Sequence, residues 1–225
     1  MAFDLELIPS APDLSFELAL WREGLTYVAG VDEAGRGALA GPVAAAAVVL
    51  PTETRMVEYL EGVRDSKQMT ADQREKGRIK IYKHAVTWGV GFATVEEIDQ
   101  FGILPATRLA ASRAIDALMP IPVHLLIDYL FLPEVSISQT ALIKGDCRSL
   151  SIAAASVLAK TSRDAIMRDL AHTYPGYGFA KHKGYGTRAH RDALKQLGVS
   201  PAHRLSFDLF GRDKIRKGEE KHRAL

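Results

Sequence analysis

The arrangement of hydrophobic and polar residues along the chain predicts several strands in its first half. Residues 25–32 alternate between apolar and polar positions, and residues 86–94 are rich in β-forming residues and glycine. Residues 43–50 form an apolar run that ends at Pro51. Short segments of this kind, bounded by turn residues, are typical of strands. We therefore predict three strands here, which could pair as an antiparallel meander.

Helical signals fill most of the remaining chain. Thr70 with Gln73, and Thr94 with Glu97, form the capping-box pattern that begins a helix, and the first of these helices should end near His84. Spacing and end signals predict further helices over residues 15–23, 105–118, 149–170, 187–198 and 200–210. Two short apolar segments, 123–128 and 141–144, are typical of buried strands.

Elements in this order predict an α/β fold, with a mixed five-stranded sheet between layers of helices. We expect three parts in the chain. An N-terminal arm with a short helix spans residues 1–23, a main α/β domain spans residues 24–172, and a small helical lobe spans residues 173–225.

Composition narrows the class of protein. The chain has 225 residues, of which 47% are hydrophobic and 25% charged, as in ordinary globular proteins. Its single cysteine, Cys147, excludes an internal disulfide and favours a reducing cytoplasm. The sequence shows no secretory signal and no apolar run long enough for a membrane span. Basic residues outnumber acidic ones after residue 180, which fits either a nucleic-acid contact or a solvated helical face.

Four acidic residues follow predicted strands or precede the long helix. Asp32 and Glu33 end the first strand, Asp128 ends the fourth, and Asp146 lies in a glycine-containing loop before residue 149. Each could be an ordinary turn or helix-entry residue. If the strands are neighbours, however, the carboxylates converge at one edge of the sheet, where α/β proteins bind ligands. Hard oxygen ligands of this type select Mg²⁺ or Mn²⁺.

Three polar loops accompany the acids. Gly35-Arg36-Gly37 could bring backbone amides and a guanidinium to a phosphate, although a plain turn is an equal alternative. The segment 65–67 precedes a helix and could be ordinary loop structure. Residues 181–187 place Tyr185 among lysines and glycines, which suits contact with a nucleic acid but also fits a basic surface loop. A further acid, Asp164, is interpreted as an ion-pair partner within a helix.

Taken together, these motifs resemble ribonuclease HII, the type 2 ribonuclease H family, from about residue 27 to residue 210. The residues that carry the resemblance are 31–37, 65–67, 103–107, 127–128, 144–146, 151–160 with Arg163 and Asp164, and 182–187. Many blocks in the same order make the resemblance specific.

The resemblance implies a ribonuclease H-like fold whose C-terminal lobe binds substrate. It implies an endonuclease that cuts the RNA strand of RNA–DNA hybrids and cuts 5′ of ribonucleotides embedded in duplex DNA. Two-metal catalysis with Mg²⁺ or Mn²⁺ would leave 5′-phosphate and 3′-hydroxyl ends. The resemblance implies that the metal ligands and catalytic residues are Asp32, Glu33, Asp128 and Asp146. It implies substrate contacts from Gly35, Arg36, Gly37, Lys67, Lys160, Lys181, Lys183 and Tyr185.

The chain departs from the family pattern at two positions, where Tyr129 replaces glycine after the third acid and Gly102 replaces asparagine. Neither departure removes a ligand. The C-terminus lacks a sliding-clamp box, so we expect no strong clamp tether, and we expect a monomer. Two alternatives remain open, a catalytically inactive hybrid-binding module and another two-metal nuclease or integrase on the same fold.

Overall fold

A computed structural model describes residues 8–211 and places a five-stranded sheet at the centre of the chain. The strands are β1 (Val28–Ala34), β2 (Val43–Val49), β3 (Thr87–Ala93), β4 (His124–Asp128) and β5 (Ser138–Leu142), in the spatial order β3-β2-β1-β4-β5. β1 pairs with β2, and β2 with β3, in antiparallel orientation. The predicted meander is therefore confirmed.

The other half of the sheet is parallel. β4 pairs with β1 so that Val31 lies opposite Ile127, and β5 pairs with β4 so that Asp128 lies opposite Leu142. The sheet is thus mixed, as predicted. Because β1 and β4 run in the same direction, their carboxyl ends meet at one edge of the sheet, and the acids that end these strands meet there too.

Eight α-helices occur in the described part of the chain, besides two short 3-10 helices at Ser66–Gln68 and Gly145–Cys147. The α-helices are α1 (Ser15–Arg22), α2 (Met56–Tyr59), α3 (Ala71–His84), α4 (Val95–Phe101), α5 (Ile103–Asp116), α6 (Leu150–Thr173), α7 (Phe179–His182) and α8 (Arg188–Leu197). Both predicted capping boxes, at Thr70 and Thr94, are present. Every helix within residues 8–211 is too short or too polar to cross a lipid bilayer.

The helices form layers on the two faces of the sheet. α5 packs its alanine-rich face on one side, and α3 and α6 cover the other. Close approach of α6 to β1 requires Gly30, since a Cβ there would lie 2.1 Å from the backbone carbon of Ser151. This approach sets the start of α6 against β1, the strand that contains Asp32.

Several boundaries differ from the prediction: β1 spans Val28–Ala34 rather than 25–32, and β5 begins at Ser138 rather than 141. Two of the differences have local reasons. β5 ends at Leu142, before the predicted end at 144, because Lys144 adopts a left-handed conformation with φ 57°. α5 begins at Ile103, two residues earlier than predicted, because Gly102 turns the chain at φ 84° and separates α4 from α5. Glycine suits this turn, but it provides no side-chain cap for α5.

The predicted helix over residues 200–210 is wrong. The backbone there forms successive turns. The amides of Leu205 and Ser206 donate to the carboxylate of Asp99, at 2.9 Å each, rather than to carbonyls of a helix. Arg204 turns inward and donates to the carbonyls of Gly41 and Arg36. These tertiary contacts replace the hydrogen bonds that a helix would make.

The segment after α6 forms a small core of its own. Phe179 and Leu194 are buried in it with Met167 of α6 and Ala40 of the β1–β2 connection. The lobe therefore rests against the loop that follows Asp32. The proposed division into 1–23, 24–172 and 173–225 stays a prediction, and residues 1–7 and 212–225 lie outside the described part of the chain.

Candidate active site

We call the edge of the sheet where the acids of β1 and β4 meet the acidic edge. Asp32 lies at its centre and is 3% exposed. Its Oδ1 accepts a hydrogen bond of 2.7 Å from the amide of Glu33, whereas its Oδ2 is buried without a hydrogen-bond partner. Burial, followed by the charges of Glu33 and Asp128, raises the pKa of Asp32 well above its usual value. A buried carboxylate oxygen in this state is costly to the fold unless a cation offsets its charge.

Asp128 and Asp146 supply carboxylate oxygens beside Asp32, and one oxygen from each of the three lies within 4.8 Å of the others. Asp128 ends β4, and Asp146 lies in the short turn Gly145–Cys147. Burial raises the pKa of Asp128, and burial together with the neighbouring Asp128 raises the pKa of Asp146 to about 6. The fold therefore brings together three of the four predicted ligands.

Glu33 lies next to this trio and faces the neighbouring loop. Its carboxylate forms a 3.1 Å ion pair with Arg36, and its charge raises the pKa of both Asp32 and Asp128. Glu33 is therefore electrostatically part of the acidic edge. Its carboxylate does not fall within the close three-aspartate cluster.

Lys67 provides a cation at the rim of the acids. Its Nζ lies 3.8 Å from Asp146, and its side chain is largely exposed. Partial burial would lower the pKa of Lys67, but the surrounding carboxylates, Asp32 foremost, raise it. Lys67 is thus placed to approach a phosphate bound at the acids.

Asp65 is a neighbour that the sequence reasoning left as a loop residue. Its Oδ1 accepts from the amide of Lys67 at 2.9 Å, and its carboxylate lies within 4.8 Å of Asp146 and Cys147. The sequence signal that could have placed Asp65 near the site was its position directly before Ser66 and Lys67. The distance to Asp146 depends on the tertiary fold and could not be read from spacing.

An open cleft of about 480 Å³ begins at Glu33. The residues that line it are Glu33, Ala34, Gly35, Arg36, Gly37, Ser66, Lys67, Lys160 and Tyr185. Six of these were predicted substrate contacts, and the cleft brings them together from four separate parts of the chain.

Tyr185 forms one wall of this cleft and contacts two cations. The Lys160 ammonium lies 5.6 Å from the ring centroid, and the Arg163 guanidinium lies 5.5 Å from it. Lys160 also pairs with Asp164 at 2.6 Å, which confirms Asp164 as an ion-pair partner within a helix. The ring remains partly exposed and can contact a ligand in the cleft.

Arg163 holds the loops around the cleft, a role that sequence reasoning missed. It is fully buried and donates to the carbonyls of Pro42, Lys183 and Ala40 at 2.8–3.0 Å. A Cβ at Gly35, where φ is 92°, would lie 1.9 Å from Arg163 Nε, so glycine is required for this contact. An arginine in mid-helix is normally solvated, and its sequence position gave no signal of burial.

Lys181 and Lys183 lie just before Tyr185 but are not among the residues that line the cleft. Lys181 is exposed on α7, and the Nζ of Lys183 donates to the carbonyl of Ala180. Their contribution to substrate binding stays a prediction.

Tyr129 follows Asp128 directly and adopts φ 54°, a left-handed conformation that glycine tolerates and larger residues rarely adopt. Its amide donates to the carbonyl of Leu142 at 3.0 Å, which fixes the turn, and its side chain is 73% exposed. The departure from the family glycine thus occurs at a position where the backbone favours glycine.

Three aspartates around a buried, unpartnered carboxylate oxygen form an all-oxygen donor set that fits a divalent cation. A mixed sheet that gathers such acids at the ends of its central strands is the arrangement of the ribonuclease H-like class of nucleases. The adjacent cleft, with its cations and its aromatic wall, suits a phosphate-containing ligand.

The family is shown by the comparison with known proteins. The family model for ribonuclease HII matches residues 29–210. Ribonuclease HII of Chloroflexus aurantiacus is 55% identical over 197 residues, which cover 87% of this chain and 93% of that protein. Ribonuclease HII of Acetivibrio thermocellus is 47% identical over 85% of this chain and 73% of its own length. The chain belongs to the ribonuclease HII family and is a ribonuclease H enzyme.

Solved structures agree with this assignment. Ribonuclease H2 from Pyrococcus horikoshii OT3 has a TM-score of 0.66 and 27% identity, and the match covers 81% of this chain and 94% of that one. Ribonuclease HII in its complex with PCNA from Archaeoglobus fulgidus has a TM-score of 0.68 and 25% identity over 81% of this chain and 96% of that one. The ribonuclease H fold is therefore confirmed, and family membership implies a divalent metal.

Proposed function

We propose that this enzyme is an endonuclease that hydrolyses the RNA strand of RNA–DNA hybrids and cuts 5′ of ribonucleotides embedded in duplex DNA. The products would carry 5′-phosphate and 3′-hydroxyl ends. The observation that carries the proposal is the buried Oδ2 of Asp32, which has no hydrogen-bond partner and lies beside Asp128 and Asp146.

The residues that would hold the metal are Asp32, Glu33, Asp128 and Asp146, as a two-metal site for Mg²⁺ or Mn²⁺. A bound divalent ion would lower the pKa of the attacking water and neutralise charge on the phosphate. Burial and, after it, repulsion between the acids raise the pKa values of Asp32, Asp128 and Asp146. A bound divalent cation would offset both effects, which supports the assignment.

Substrate discrimination is assigned to the cleft beside the acids. We infer that Gly35, Arg36 and Gly37 contact the ribose 2′-hydroxyl and adjacent phosphate, since only RNA presents that hydroxyl. Tyr185 would stack at the RNA-to-DNA step, while Lys67 and Lys160 would lie near phosphates. Their shared position along one cleft supports this division of roles.

The direct test is cleavage of a duplex that contains a single ribonucleotide. The wild-type enzyme should cut 5′ of that nucleotide in Mg²⁺ and leave an all-DNA duplex of the same sequence intact. Asp128→Asn should abolish cleavage while the protein keeps its fold. Equal cutting of both duplexes would favour a general two-metal nuclease or integrase, and metal-independent hybrid binding without cleavage would favour an inactive module.

The remaining assignments are also proposals. We propose that the enzyme acts as a monomer in the cytoplasm, which fits its lone Cys147. The Archaeoglobus relative is seen with PCNA, but this sequence contains no evident clamp box. We therefore propose that it acts on its substrate without a strong clamp tether.

A further inference from the structure

The residues just before the N-terminal helix α1 are hydrogen-bonded to the segment that follows Asp146. The amide of Asp13 donates to the carbonyl of Arg148 at 3.3 Å, and the amide of Leu150 donates to the carbonyl of Asp13 at 2.8 Å. These two bonds pair Asp13 with Ser149 in parallel orientation. The N-terminal segment therefore contacts the connection between a candidate metal ligand and α6.

Glu17 of α1 is the centre of this attachment. It is fully buried, and its Oε1 accepts hydrogen bonds from the hydroxyl of Ser149 at 2.7 Å and from both the hydroxyl and the amide of Ser151, at 2.6 and 2.9 Å. Burial raises the pKa of Glu17, while the serine hydrogen bonds lower it. One carboxylate oxygen thus holds the first turn of α6.

The other oxygen of Glu17 makes no such contact. Oε2 is buried without a hydrogen-bond partner, as is the indole Nε1 of Trp21 one turn further along α1. Burial of a polar atom without a partner destabilises a fold. Burial of Oε2 of Glu17 therefore destabilises the fold, although Oε1 of the same side chain binds the two serines at the start of α6.

The first turn of α6 connects directly to the metal ligands. The amide of Ser149 donates to the carbonyl of Gly145 at 2.9 Å, and the amide of Gly145 donates to Oδ1 of Asp128 at 2.7 Å. Ile152 packs against Gly145 so closely that a Cβ there would lie 2.7 Å from its Cδ1. A displacement of this turn would therefore move the turn that contains Asp146.

We propose that Glu17 is a positioning residue for the metal centre. By fixing the first turn of α6 through Ser149 and Ser151, it holds Asp146 and Asp128 at the separation that a divalent ion requires. This inference rests on the proposed metal site. Groups that orient metal ligands from behind typically change metal affinity when they are removed, and the metal affinity is therefore the quantity to measure.

The test is calorimetric titration of the apo-enzyme with Mn²⁺ at neutral pH, without nucleic acid. Glu17→Ala should weaken Mn²⁺ binding by about 10-fold, the lower end of the effect of removing a group that orients metal ligands, because Glu17 acts through Ser149 and Ser151. The Mn²⁺ concentration for half-maximal cleavage should rise by the same factor, with kcat at saturating Mn²⁺ nearly unchanged. Glu17→Gln keeps an acceptor oxygen for the serines, so its affinity should stay within about twofold of the wild type.

Leu18→Ala is the matched control, because Leu18 lies next to Glu17 on α1 but packs on the apolar core. It should lower the melting temperature and leave Mn²⁺ affinity unchanged. Wild-type Mn²⁺ affinity in Glu17→Ala would overturn the inference, and so would an equal weakening in Leu18→Ala. If Glu17→Ala does not fold, Ser151→Ala takes its place, and unchanged affinity there would overturn the inference.

Failure of the proposed metal site can be distinguished from failure of the proposed role of Glu17. If the wild-type enzyme binds no Mn²⁺, or if Asp146→Asn binds it as tightly as the wild type, the metal site itself is wrong. If the wild type binds Mn²⁺ and Asp146→Asn does not, the variants of Glu17 test positioning alone.

Discussion

The backbone amide of Gly145 donates a 2.7 Å hydrogen bond to Oδ1 of Asp128, so the turn that carries Asp146 orients the carboxylate at the end of β4. One candidate metal ligand, Asp128, is thereby held by the backbone beside the next, Asp146. The geometry of the acidic edge therefore depends on a turn that has no room for a side chain at position 145.

Gly145→Ala should therefore damage catalysis. The added Cβ would lie 2.7 Å from Cδ1 of Ile152 and 3.4 Å from Cα of Asp128. We expect cleavage of a hybrid to fall by about 10- to 100-fold, as for other disturbed ligand supports, with a loss of about 1–3 kcal/mol in the free energy of unfolding. Gly24→Ala is the control: its Cβ meets nothing within 4 Å, and only φ 86° is unfavourable, so stability should fall without loss of activity.

The acidic edge could be predicted because its signals are local. An acid that ends an apolar strand is visible in the sequence, and the parallel pairing of β1 with β4 brings Asp32 and Asp128 to the same edge. Asp65 could not be assigned in this way, because its proximity to Asp146 follows from the packing of a loop. The same holds for Arg163, whose burial depends on carbonyls far away in the chain.

The wrong helix over residues 200–210 has a related cause. Pro201 and the apolar spacing satisfied the local criteria for a helix. The carboxylate of Asp99 and the buried guanidinium of Arg204 form tertiary hydrogen bonds, and these outweigh the local preference for a helix. Asp99 and the carbonyls of Gly41 and Arg36 that accept from Arg204 all lie outside the segment, so no pattern within it could reveal these contacts.

Arg163→Lys should destabilise the protein despite conserving charge. A lysine ammonium cannot reproduce the planar fork that donates to the carbonyls of Pro42, Ala40 and Lys183, so buried acceptors lose their partners. We expect a loss of about 2–4 kcal/mol in the free energy of unfolding and a raised KM for hybrid. Urea unfolding and steady-state kinetics measure these effects. Arg78→Lys, at an exposed helix pair with Glu75, should change both by little, and an equal loss there would contradict the argument.

The helical lobe should lose stability in mild acid through His190. This residue is fully buried, its Nε2 lies 3.1 Å from Nε2 of His203, and burial lowers its pKa to about 4. An unfolded histidine titrates near 6.5, so the unfolded state binds the proton first and stability falls as the pH drops from 6.5 towards 4. We expect His190 to account for about 2 kcal/mol of loss between pH 7.5 and pH 5.

Urea unfolding of wild type and His190→Asn at the two pH values isolates this contribution. The variant should be less stable at pH 7.5 and should lose less stability on acidification. His172→Asn, at an exposed position on α6, should behave as the wild type does. Parallel pH profiles for wild type and His190→Asn would show that the histidine does not titrate as argued.

Tyr129 allows a comparison of backbone strain with side-chain function. At φ 54° a Cβ is unfavourable, so Tyr129→Gly should be more stable than Tyr129→Ala by roughly 0.5–1 kcal/mol, although both remove the ring. Thermal unfolding measures this difference. If the exposed ring contributes to substrate binding, both variants raise KM equally. A change in KM for Tyr129→Ala alone would instead indicate that the backbone conformation beside Asp128 matters.

Asp32→Asn should stabilise the metal-free protein while it abolishes activity. The substitution removes a buried charge that faces Glu33 and Asp128, and whose Oδ2 has no hydrogen-bond partner. In EDTA we expect a gain of about 1–3 kcal/mol, or roughly 2–12 °C in the melting temperature. Mg²⁺ should raise the melting temperature of the wild type but not of the variant, because only the wild type binds the ion.

Asp99→Asn is the matched control, for which we expect the opposite change in melting temperature. Despite partial burial, hydrogen bonds from Ser206 and Leu205 lower the pKa of Asp99, so its charge is stabilising in the folded state. Its replacement should lower the melting temperature in EDTA and leave the Mg²⁺-induced rise intact. A lower melting temperature for Asp32→Asn in EDTA would mean that the carboxylate of Asp32 stabilises the fold, and the metal assignment would lose its main energetic support.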